Sequence, residues 1–147
     1  LEQLYRVGIQ PVKHEDISGA IKGKSTIYSH IKDLLENAKK EVIICTSVNE
    51  IAGKLRFFSQ IFDILNKNGI KIKIALSGDA KDIKRLGNKL RVRIKEVNID
   101  AKFYITDNEQ ILFLISNGNS QEDEIAVWLN TPFFTSALAF MFDEAMK

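Results

Sequence analysis

EVIICTSVNEIAGKLRFFSQIFDILNKNGIKIKIAL, residues 41–76, begins and ends in apolar runs of strand length with a helical stretch between them. Glu41 to Thr46 is short and continuously apolar, the pattern of a strand covered on both faces in an α/β sheet. From Lys54 to Asn68, Leu55, Phe58, Phe62 and Leu65 recur at helical intervals, and Asn68-Gly69 supplies the stop signal. Ile70 to Leu76 is strand again. The unit reads as a parallel strand–helix–strand crossover, right-handed by the general rule for such connections. The fold class is therefore α/β.

Working outward, Ile17 to Ile21 is a short strand that turns at Lys22-Gly23-Lys24 into a helix whose apolar face is Ile27, Ile31, Leu34, Leu35 and Ala38. Ser25 or Thr26 is the expected cap, and Lys39-Lys40 the expected end. On the other side, Ala80 to Asn88 is a modest helix, and Leu90 to Lys95 alternates strictly, as a half-exposed edge strand would. Ala101 to Thr106 and Gln110 to Ile115 flank the turn Asp107-Asn108-Glu109 as an antiparallel hairpin. After a polar loop, Ser116 to Asp123, the strand Glu124 to Leu129 joins them, and Thr131-Pro132 opens a last helix. The sum is a single module, a mixed β-sheet flanked by helices.

That last helix carries Phe133, Phe134, Ala137, Leu138, Phe140, Met141, Phe142 and Ala145, more apolar surface than one sheet can cover. Such breadth predicts a second covering surface, most simply another copy of the chain.

Composition narrows the class further. At 147 residues, 45% hydrophobic and 27% charged, the chain is long enough to build one core without metal or crosslinks. A single cysteine excludes an internal disulfide, and Cys45 inside an apolar run reads as packing rather than a nucleophile. No run approaches the roughly 20 apolar residues of a membrane span, and no leader pattern is present, so a cytoplasmic location is expected. The first residue is Leu1, which suggests a piece of a longer polypeptide. Charge is uneven: residues 81 to 95 hold Lys81, Lys84, Arg85, Lys89, Arg91, Arg93 and Lys95 against Asp82 alone, whereas residues 103 to 146 hold acids and no Lys or Arg. The basic stretch reads as a solvated face, or as a contact for an anion or for the acidic half of a neighbouring subunit.

Two motif-like features carry little chemistry. Gly19 to Ser25 resembles a phosphate loop but has three residues, not four, between its glycines, so it reads as a turn and helix start. His14, His30 and Cys45 are too few and too scattered for a zinc site or a triad, and no metal or cofactor is expected.

Asp100-Ala101-Lys102-Phe103-Tyr104-Ile105-Thr106-Asp107 is more specific: D-x-K-x4-D, running along a strand into a hairpin turn. Here the chain resembles the phospholipase D superfamily, whose H-x-K-x4-D motif has this spacing. The resemblance implies a histidine that attacks phosphorus and a lysine that holds phosphate oxygens. Lys102 and Asp107 match, but Asp100 stands in the histidine's place, and Ser116-Asn117-Gly118-Asn119 departs from the loop that should follow. A carboxylate there repels a phosphate dianion and lacks the neutral-range pKa of a nucleophilic imidazole.

A degenerate motif on this fold is similar to the phospholipase-D-like domain of archaeal regulators of the TrmB type. The match runs over about residues 16 to 147, including Leu34 to Glu41 leading into Val42-Ile43-Ile44, and Val127-Trp128-Leu129-Asn130-Thr131-Pro132 before the aromatic helix. The resemblance implies a winged-helix DNA-binding domain ahead of the module, joined by a dimerising helix, of which residues 1–15 would be the linker or tail. It implies a non-catalytic domain that holds two copies together, contacts DNA only through that absent N-terminal domain, and senses a small-molecule or anionic effector. Ligands of α/β sheets favour the carboxyl ends of parallel strands, which makes Thr46, Ser47, Ser77, Asp100, Lys102 and Asp107 the candidate binding residues. Two rival classes remain: a phosphodiesterase or nuclease with an altered motif, and an interaction module without ligand. Turnover sensitive to Lys102 would favour the first, and a ligand screen without response the second.

Overall fold

The strand–helix–strand stretch forms as expected, with one unforeseen helix inside it. In the computed structural model, which describes residues 18–116 and 124–146, the elements in chain order are β1 (Ser18–Lys22), α1 (Lys24–Glu36), β2 (Glu41–Ser47), α2 (Val48–Gly53), α3 (Leu55–Lys67), β3 (Lys71–Ser77), α4 (Ala80–Leu90), β4 (Ile94–Glu96), β5 (Phe103–Thr106), β6 (Gln110–Ser116), β7 (Ile125–Asn130) and α5 (Pro132–Ala145). The connecting tail expected at 1–15 and nearly all of the polar loop after β6 lie outside the described residues.

All seven strands form one sheet in the order β1-β7-β6-β5-β2-β3-β4. β2, β3 and β4 run parallel, and the remaining pairings are antiparallel. The architecture is thus the mixed sheet of an α/β module. β2 alternates between two cores, which is why its sequence is apolar from Val42 to Cys45. Val42 and Ile44 face the larger cluster, with Ile31, Leu35, Phe58, Ile61 and Phe62 of α1 and α3. Ile43 and Cys45 face the smaller one, with Ile105, Ile111, Ala139 and Phe142. Burial pushes the Cys45 thiol up to about 11, as befits a packing residue.

Several local expectations change. The N-cap of α1 is Gly23, at φ 93°, with no side-chain cap, so neither Ser25 nor Thr26 plays that role; the helix stops at Glu36, and Asn37 closes it. The alternating stretch Leu90 to Lys95 is not one strand. Leu90 completes the buried stripe of α4 with Ile83 and Leu86, Arg91 turns left-handed at φ 59°, and only Ile94–Glu96 pairs with β3. An apolar residue at every second position serves a helix end, a turn and a strand equally well. β4 is nonetheless the edge, as its alternation suggested.

The Thr131 cap stands: its hydroxyl accepts from the Phe134 N–H, and proline occupies the first turn of α5. α5 lies on the second face of the sheet, burying Thr135, Ala139 and Phe142. Phe133, Phe140 and Met141 remain 90%, 65% and 64% exposed.

Candidate functional site at the ends of the central strands

β2 and β3 end side by side, with Ser47 opposite Ser77, and antiparallel β5 begins at the same end of the sheet, with Phe103 opposite Cys45. This register brings Thr46, Ser47, Ser77 and Lys102 to one end. Asp107 goes to the other, because Thr106 at the far end of β5 pairs with Val42 near the start of β2. The motif is split by the length of its own strand.

At the first end the decisive residue is one the sequence reading missed. Ser47 caps α2 by accepting from the Glu50 N–H at 3.2 Å, and the short helix thereby holds Glu50 over the sheet end. Glu50 Oε1 lies 3.6 Å from Lys102 Nζ, with the carboxylate side chain 17% and the lysine 36% exposed. A signal was available: Ser47-x-x-Glu50 has capping-box spacing, which marks a helix start.

Behind this pair, Tyr104 is fully buried and stacks on Phe58, with ring centroids 6.5 Å apart and planes 11° from parallel. Burial first, then the nearby Glu50 carboxylate, push its phenol far above the ordinary range, while the Thr46 hydroxyl acts the other way. Thr46 Oγ1 nevertheless completes no hydrogen bond among the described residues, although the residue is wholly buried. Asp100 is exposed, precedes β5, and makes no hydrogen bond or ion pair with the described residues.

Asp107 has a different occupation. It sits at φ 56° and Asn108 at φ 57°, and the Glu109 N–H donates to the Thr106 carbonyl at 3.0 Å, closing a mirror-image hairpin turn. Its carboxylate accepts three backbone N–H groups from the junction between α1 and β2: Lys39 at 3.0 Å, Lys40 at 2.8 Å and Glu41 at 3.0 Å. Partial burial would raise its pKa, but the N–H groups of Glu41, Lys39 and Lys40 together hold the carboxyl below the usual range. His30, the one described histidine, lines a cleft of about 400 Å³ beside Asp107, so no described imidazole stands near Lys102.

Among the described residues this end carries hydroxyls but no imidazole, and the Lys102 ammonium is met by the Glu50 carboxylate. Among the described residues no group of three or more His, Cys, Asp or Glu side chains could hold a metal ion, and no helix is long and apolar enough to cross a membrane.

Comparison with known proteins agrees with this geometry. Residues 19–146 match the family model described as Transcriptional regulator TrmB, EBD N-terminal subdomain. Among solved structures, the chain is similar to TrmBL2, described as an archaeal chromatin protein with a novel mode of DNA binding, at TM-score 0.63 and 19% identity over 88% of this chain. It spans about half of TrmBL2, 51% of that chain. It is also similar to Nuc, a phospholipase D family member from Salmonella typhimurium, at TM-score 0.62 and 13% identity, covering 87% of this chain and 93% of that one. NucT from Helicobacter pylori gives TM-score 0.67 and 11% identity, over 87% of this chain and 94% of its own. At these identities the structural likeness shows a phospholipase-D-like fold. No curated protein sequence matches the chain.

Proposed function

Because the chain belongs to the family described as Transcriptional regulator TrmB, EBD N-terminal subdomain, we propose that it is a non-catalytic regulatory domain of a cytoplasmic transcription regulator, one that pairs with a second copy and senses an effector. DNA contact is assigned to a separate N-terminal domain and not to this module.

One observation carries the non-catalytic part. Where the resemblance to phospholipase D calls for an attacking histidine and a free lysine, this chain has the carboxylate Asp100, without a partner among the described residues, and a lysine paired with Glu50. An internal carboxylate at 3.6 Å competes with any phosphate for the same ammonium.

Pairing is supported by α5. Its first turn and outer face expose Phe133, Phe140 and Met141, rings and thioether that water solvates poorly and that a symmetric partner would cover. Sedimentation equilibrium tests it. The chain is expected to run as a dimer, and Phe133→Ser with Phe140→Ser is expected to shift it to monomer without loss of folding. A monomer in the unaltered chain would refute the pairing.

A further inference from the structure

The loop discarded above as a shortened phosphate motif still builds an anion-ready feature. Gly23 begins α1 with no side-chain cap, and a Cβ added to it would meet no atom within 4 Å. The N–H groups of the first turn, at Lys24, Ser25 and Thr26, have no acceptor among the described residues. Unpaired donors at the start of a 13-residue helix favour negative charge, by their own hydrogen-bonding capacity and by the helix dipole.

A second feature adjoins this one. A cleft of about 350 Å³ between the start of α1 and the α2–α3 junction is lined by Lys24, Lys32 and Lys54, by the Ser25 and Ser29 hydroxyls, and by Tyr28 and Phe57. Among the described residues no carboxylate lines it. Lys32 is paired with Glu36 at 3.2 Å, but Lys24 and Lys54 have no counter-ion among the described residues. Lys54 Nζ instead stands 4.8 Å over the Tyr28 ring, which meets Phe57 edge-on at 5.2 Å. Tyr28 is 7% exposed, and its hydroxyl has no hydrogen-bond partner among the described residues. Convergent cations against an aromatic wall repel one another, and a compact dianion relieves that repulsion.

We propose that this cleft is the effector site and that it takes a small phosphate-bearing molecule, the phosphate on the α1 N-terminus between Lys24 and Lys54 and the remainder against Tyr28 and Phe57. The inference rests on the effector-sensing part of the proposed function and is independent of pairing. The cleft opens at the same end of the sheet as Lys102, because β1 ends at Lys22 opposite Ile125 and β6 ends beside the start of β5, but Lys102 does not line it and its cation is already matched by Glu50.

The test is calorimetric titration of the 147-residue chain with inorganic phosphate, pyrophosphate and adenosine 5′-monophosphate, against sodium chloride at matched ionic strength. Saturable one-to-one binding is expected. A gain of about threefold or more for the nucleotide over free phosphate would identify an ester as the ligand, whereas equal affinities would identify the free anion; either outcome keeps the site. Lys54→Met and Lys24→Met are each expected to weaken binding about tenfold with unchanged melting temperature, while Lys102→Met and Arg91→Met leave it as it is. No saturation beyond the chloride control, or a loss produced equally by Lys102→Met, overturns the proposal. A dimer that binds none of the three would sink the site and leave the pairing intact; a monomer that binds would do the reverse.

Discussion

The two ends of the D-x-K-x4-D segment preserve its residues for different reasons. At the far end Asp107 is tied into the fold, its carboxylate collecting three N–H groups from residues 66 to 68 positions away. At the near end Lys102 meets one carboxylate at 3.6 Å, Asp100 meets nothing described, and Thr46 is buried with its hydroxyl unsatisfied. One end is saturated with partners and the other has polar groups in excess of them. A motif residue can therefore serve as a structural clamp independently of the chemistry at the other end of its strand.

Substitution should separate the ends, the largest effect falling at Asp107. Asp107→Ala removes the acceptor for three N–H groups and puts a side chain without local hydrogen bonds at φ 56°, and should cost about 2 to 3 kcal/mol in denaturant unfolding. Asp107→Asn keeps a residue suited to the turn but removes the charge and one of the two acceptor oxygens. The folded-state pKa of Asp107 is depressed, so its contribution is complete above the unfolded value of about 3.9 and is lost as pH falls through the folded value. The stability gap between the unaltered chain and Asp107→Asn should accordingly be full at pH 7 and close below about pH 4. A gap that does not vary with pH would refute the clamp.

At the Lys102 end the signs should differ. Thr46→Val replaces a fully buried, unsatisfied hydroxyl with a methyl of similar shape, and should stabilise by about 1 kcal/mol in thermal or denaturant melts. Destabilisation of that size would mean the hydroxyl has a partner after all. Smaller still is the effect of Lys102→Met: the ion pair is partly exposed, and its loss should change stability by less than about 1 kcal/mol, with salt eroding even that.

How much of this was legible depended on range. The apolar run of β2, the Asn68-Gly69 stop, the hairpin at Asp107-Asn108 and the Thr131-Pro132 start are local signals, and each corresponds to an element in the structure. The edge stretch around Arg91 was misread because alternation over six residues does not distinguish a strand from a helix end followed by a turn. The candidate site was legible only in part. Thr46, Ser47, Ser77 and Lys102 converge as the carboxyl-end rule suggests. Glu50 was missed because its partner lies 52 positions away, and no periodicity encodes that contact. Asp107 was placed with the wrong group for a geometric reason: β5 carries it to the opposite end of the sheet.

If the Lys102 end is chemically silent, as proposed, bis(4-nitrophenyl) phosphate should not be turned over there. The unaltered chain, Lys102→Ala and Asp100→His should all hydrolyse the ester at the buffer rate, because restoring an imidazole leaves Lys102 paired with Glu50. Turnover by the unaltered chain that disappears in Lys102→Ala would show that this end is catalytic.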